Sequence, residues 1–163
     1  MQSNIKLRSP ISPMEGILRV ELSRSDGKRF LHFEERNVIT LDSKQALLSG
    51  LYLENVMSDP IDRLWVGTGG SIDPEGLFPK GTDQNMDALF VPLISVPTTF
   101  VADNAVPSAT FLADLDQGMA NDVLINEAGL FKQSGLMFNI KTFPAIPKTM
   151  EFNVHFEWTI IMV

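Results

Sequence analysis

The segment from Glu151 to Val163 alternates almost without interruption, and that alternation limits what the chain can fold into. Phe152, Val154, Phe156, Trp158, Ile160 and Met162 fall on one side, and Glu151, Asn153, His155, Glu157 and Thr159 fall on the other. A period of two with large apolar groups on one side fits a strand with one buried and one wet face, and fits no helix. The chain is therefore expected to end on a long, half-buried antiparallel strand whose apolar side glues two sheets together.

Further signals upstream favour the same architecture. Gly16 to Ser23 and Lys28 to Phe33 read as a hairpin around Ser25-Asp26-Gly27, with Gly27 supplying positive φ. Asp42, followed three residues later by Gln45, resembles a capping box, and Ala46, Leu47, Leu48, Leu51 and Tyr52 recur at helical spacing. This predicts one short α-helix over about residues 43–53. Arg63 to Gly67 is a short apolar strand ending in Gly67-Thr68-Gly69-Gly70, and Ser71 to Asn85 is rich in Gly, Pro and Asp, as a long surface loop would be. Ala88 to Phe100 carries Pro92 and Pro97, so it predicts an edge strand or two pieces around a bend. Thr110 to Leu115, Val123 to Phe131 and Gly135 to Phe143 complete the set. The expected fold is mainly β: an antiparallel β-sandwich of seven or eight strands with one helix. Residues 1–15, with Pro10 and Pro13, predict an extended N-terminal arm. Residues 16–163 predict a single domain with a loop or edge segment at about 68–100.

Composition narrows the function. At 163 residues the chain is long enough for one domain, and its eleven Phe against one Tyr supply core rings that need no partner for a hydroxyl. A net charge of −7 with thirteen scattered Lys and Arg residues argues against nucleic-acid binding. With no cysteine there is no disulfide, thiolate metal site or catalytic thiol. No apolar run approaches the roughly 20 residues of a membrane span, and no signal peptide is recognisable, so a soluble product without membrane contact is expected.

Each candidate chemistry fails a specific requirement. Gly67-Thr68-Gly69-Gly70 lacks the Gly-Lys-Ser/Thr of a phosphate loop, and Asp73 and Glu75 follow it. These glycines are expected to let the chain leave a strand in a conformation closed to other residues. Asp114, Asp116 and Asp122 miss the spacing of a calcium loop, with Gly118 and Met119 at its fifth and sixth positions. The two histidines, His32 and His155, cannot form a three-His metal site, and no Ser lies in a Gly-x-Ser-x-Gly elbow. His155 is therefore read as a plain surface residue. Glu151 and Glu157 share a strand face, but six residues place them roughly 20 Å apart, too far to flank one glycosidic bond. Glu127 is the one charge inside an apolar stretch, and it is read as a carboxylate accepting backbone N–H bonds at a bulge that Gly129 permits. No catalytic, cofactor-binding or metal-ligating residue is assigned, and the chain is not expected to be an enzyme.

The motifs, taken in order, resemble a family. Leu64-Trp65-Val66-Gly67-Thr68-Gly69, Asn126-Glu127-Ala128-Gly129-Leu130-Phe131, Gly135-Leu136-Met137-Phe138, Thr142-Phe143-Pro144-Ala145-Ile146-Pro147-Lys148-Thr149 and Glu157-Trp158-Thr159-Ile160 look like a group of tailed-bacteriophage virion structural proteins. The resemblance covers about residues 36–163 and leaves Ser71 to Phe100 unmatched. It implies a β-sandwich in a phage particle assembled in the host cytoplasm, most simply a capsid decoration or cement protein. The alternative is a neck, tail, baseplate or fibre component, with a receptor- or glycan-binding role. The implied partners are copies of the chain itself, as a homo-oligomer, and other virion proteins. A glycan-binding sandwich would expose rings for stacking, but Trp65, Trp158 and Tyr52 fall in segments expected to be core. A hydrolase would need convergent acids in a pocket.

Overall fold

The computed structural model describes residues 14–50, 59–103 and 107–162. It is mainly β and antiparallel with a single described helix, the class expected from the sequence. The strands are β1 (Met14–Arg24), β2 (Arg29–Ile39), β3 (Ile61–Gly67), β4 (Pro92–Pro97), β5 (Thr99–Asp103), β6 (Ser108–Leu115), β7 (Val123–Lys132), β8 (Met137–Lys148) and β9 (Phe152–Met162). The helix α1 spans Leu41–Gly50. The described strands number nine rather than seven or eight, because the proline-bearing stretch resolves into β4 and β5 on either side of Thr98.

All nine strands join one nearly closed sheet in the order β4-β3-β7-β8-β2-β1-β9-β6-β5. Two corners hold it together. β2 pairs with β1 along most of its length but with β8 only at Val38 and Ile39. β4 pairs with β3, and after the bend its continuation β5 pairs with β6. The result is two layers, β2-β1-β9-β6-β5 and β4-β3-β7-β8, folded over a common core.

β9 does what its alternation requires. Val154, Phe156, Trp158 and Ile160 are buried, while the residues between them face outward, and β9 lies between β1 and β6. Its inward groups meet Leu18, Val20 and Leu22 of β1 and Phe111 and Leu115 of β6. Leu64, Val66, Ile125, Leu130, Phe143 and Ile146 close the core from the other layer. A smaller cluster of Leu89, Met137 and Ile140, with Trp65 and Phe131 against it, covers the outer side of that layer. β7 is therefore buried on both faces from Ile125 to Leu130, which explains its continuous apolar run.

Local signals place the connections. Gly27 has φ 77° in the first hairpin and donates to Arg24 O at 2.9 Å. The helix is capped two residues earlier than the Asp42–Gln45 pattern suggested. Thr40 Oγ1 accepts the Ser43 amide at 3.3 Å, and the buried Thr40 and Ser43 hydroxyls sit against Met137 O. Residues 51–53 of the expected helix lie outside the described residues. So do residues 1–13 of the expected arm, whereas its last two residues, Met14 and Glu15, belong to β1 and pair with Met162 and Ile161.

The long segment after β3 is more than a surface loop. Ser71 bridges Pro79, Gly76 O accepts the Ala145 amide at 2.7 Å, and Lys80 O accepts the Thr142 hydroxyl at 2.6 Å. The loop thus covers the edge of β8 that β2 leaves open. Gly76, at φ 77°, lies so close to Ala145 that a Cβ there would collide with it.

Candidate functional site

Three features could carry function: a buried carboxylate, a polar row on the outer sheet face, and the open edges of the sheet.

The carboxylate is Glu127, which is fully buried. Its Oε1 accepts the amides of Gly69 at 3.0 Å and Val91 at 2.8 Å, and its Oε2 accepts the amide of Phe90 at 2.8 Å. Asn126 Oδ1 accepts the Gly70 amide at 2.7 Å. The ladder between β7 and β8 shifts register between Ile125 and Glu127, so a bulge turns these side chains toward the loops. This is the amide-accepting carboxylate expected from the sequence. The glycines around it act differently from expectation. Gly67, Gly69 and Gly70 do not have positive φ; a Cβ on any of them would collide with Glu127, Asn126 or the Val91 backbone. They provide room for the two loops to converge on one carboxylate. Gly129 likewise gives closeness, to Asn139 O, rather than the bulge itself.

The polar row was not foreseen. His155 is not a plain surface residue: its Nδ1 lies 2.6 Å from Asp114 Oδ1 and its Nε2 lies 2.7 Å from Ser23 Oγ. Register explains the meeting. Asp114 of β6 stands opposite His155 of β9, and Ser23 of β1 stands opposite Asn153, two residues along on the same face. Alternation had put His155 on a polar face, but only strand order could put Ser23 and Asp114 beside it. Asn153 Nδ2 donates to Ser23 Oγ at a long 3.5 Å, and the row borders a shallow depression of about 620 Å³ that Arg24, Arg29 and Gln117 also line.

The order Ser-His-Asp is that of an acyl-transfer triad, but the setting is not. Acyl transfer also needs donors aimed at the developing oxyanion beside the serine, commonly backbone amides. Ser23 lies on a strand paired on both sides, with Arg29 of β2 and Asn153 of β9, so the amides around it belong to sheet ladders. Ser23 is also only 5% exposed. The row acts as a cross-strand clasp that ties β1, β9 and β6 together.

The other candidates disperse. Asp116 borders the depression, Asp122 sits at φ 60° in the turn before β7, and Asp114 turns to His155, so the three acids do not converge. His32 lies on β2 with its ring 5.8 Å from that of Phe33. Glu151 lies in the turn before β9, and Glu157 stands opposite Arg19. Trp158 is buried in the core, whereas Trp65 is half-buried with its ring edge-on to Phe131 at 6.4 Å. Tyr52 lies outside the described residues. Among the described residues, no three His, Asp or Glu side chains are placed to hold a metal ion.

The open edges carry exposed apolar side chains. The Arg29–Arg36 stretch of β2 pairs only with β1, and β4 and β5 end the sheet. Phe30, Leu31, Leu93, Phe100 and Val101 stand exposed along these strands. At the tip of the loop over β8, Ile72, Leu77 and Phe78 also face outward. That tip is braced by Asp73, which accepts the amides of Leu77 and Phe78 and the Ser71 hydroxyl. The Leu77 amide foremost, helped by the other donors, holds the Asp73 carboxyl at about 2, against its ordinary 3.8.

Among the described residues, fold and surface together define an antiparallel β fold with a buried core and exposed apolar side chains along its open edges. No family model, curated protein or solved structure matches the chain.

Proposed function

We propose that this chain is a structural building block of a tailed-bacteriophage particle, decorating or cementing the capsid through contacts with copies of itself and with other virion proteins. The observation that carries the reading is the apolar surface on open edges and loop tips, from Phe30 and Leu31 to Phe100 and Val101. Such surface is costly in a lone molecule and useful in one that packs against neighbours. The order of the Gly67, Glu127, Pro144 and Trp158 motifs supports the virion setting, by resemblance. A place in the neck, tail, baseplate or fibre is the alternative within the same reading.

Quantitative mass spectrometry of purified particles, from a host carrying the encoding genome, tests this. Peptides of this chain at a stoichiometry comparable to the major shell protein support a capsid position. A small rotational multiple per particle moves it to the neck, tail or fibre. Absence from purified particles overturns the proposal.

A further inference from the structure

The three edges left open among the described residues are not equivalent. β2 is blunted twice: its ladder with β1 slips at His32, and Arg29, Glu34, Glu35 and Arg36 line the stretch. β4 is bracketed by Pro92 and Pro97, which have no N–H to give a neighbouring strand. Bulges, charges and prolines are the usual means of keeping an edge from pairing. β5 has neither a bulge nor a proline, and its one charge, Asp103, stands at its last position. Its register with β6 runs without a shift from Thr99↔Leu112 to Asp103↔Ser108, and Thr99-Phe100-Val101-Ala102 carries no charge. Phe100 and Val101 are 57% and 51% exposed.

We infer that β5 of one copy pairs antiparallel with β5 of a second copy, across a two-fold axis through Val101. This rests on the reading of the chain as a self-assembling block. A two-fold contact uses the same patch on both partners, so the strand has to be complementary to itself. About Val101 it is: Thr99 falls opposite Asp103, Phe100 opposite Ala102, and Val101 opposite Val101. The large ring of each copy meets the small methyl of the other, while Phe100 keeps its own support from Phe111, at 5.5 Å between rings. A second copy is also the occupant that the charge distribution favours. A chain of net −7 repels its copies, and that repulsion is weakest where an edge bears no charge between Thr99 and Ala102. Leu112, exposed on the neighbouring strand, widens the apolar contact. Pairing would make the sheets of two copies continuous through β6-β5 and its symmetry mate.

The absence of native cysteine allows a direct test. In Val101→Cys the two thiols would sit on the axis with Cα atoms roughly 4.5–5.5 Å apart, within disulfide reach. Mild oxidation is expected to give a disulfide dimer of Val101→Cys on a non-reducing gel, while Leu31→Cys, on the bulged β2, stays largely uncross-linked. Val101→Lys would set two ammonium groups face to face and is expected to raise the dissociation constant about tenfold in sedimentation equilibrium. If the wild-type chain self-associates but Val101→Cys cross-links no better than Leu31→Cys, the β5 pairing is wrong and the building-block reading survives. A wild-type chain that stays monomeric up to its solubility limit overturns self-assembly itself.

Discussion

Glu127 satisfies three loop amides from inside the protein, and its replacement should show how much the loops depend on it. Glu127→Ala leaves three part-buried donors without an acceptor, at about 1–3 kcal/mol for each buried group. We expect a loss of about 3–5 kcal/mol in urea unfolding. Glu127→Gln, which turns an NH2 toward one of those amides, should lose less. Gly70→Ala should also destabilise, because its methyl would meet Asn126 O, and no rearrangement of a flexible side chain can relieve a backbone clash. Ser23 makes a different prediction. With its neighbouring amides in ladders, a fluorophosphonate probe should leave Ser23 unmodified, while Ser23→Ala costs about 1 kcal/mol of stability. Specific labelling that disappears in His155→Ala would show that the row is reactive after all.

At the scale of elements, the loop over β8 depends on Asp73. A carboxyl held below its ordinary value stabilises the folded loop fully above about 3.8, and that contribution is lost as pH falls through about 2. Pepsin cleavage after Leu77 or Phe78 should therefore increase, relative to other sites, between about pH 4 and pH 2. In Asp73→Asn it should already be high at pH 4. The strands themselves were largely legible in the sequence, because alternation is a local property. Phe152 to Ile160 announced β9, and Gly27 announced the first turn. The helix was legible in kind but not in its cap, since Thr40 acts through Met137 and Phe138, nearly a hundred residues away. The Ser23–His155–Asp114 row was illegible for a related reason. Each residue sits on a polar face that the sequence reveals, but their contact depends on β9 inserting between β1 and β6. The acceptor role of Glu127 could be read because a lone charge in an apolar run needs buried donors, while the donors themselves lie on distant loops.

For the whole molecule, the boundary of the body matters for any truncation. Because Met14 and Glu15 pair with Met162 and Ile161, removing residues 1–13 should leave a domain that melts as the full chain does, whereas removing residues 1–20 should not. If the arm carries contacts to neighbours, the shorter deletion should fold normally and fail to incorporate into particles. Normal incorporation would shift those contacts to the edges and loops. The pairing of Met14 with Met162 has a mechanical corollary as well. As opposite members of one antiparallel ladder, Met14 and Met162 would meet a pull between them one hydrogen-bonded rung after another, like a zipper, rather than as a row sheared at once. Stretched between those two positions the β1–β9 ladder should yield at low force, so load in an assembly is better carried through the flanks of the sheet than along these strands.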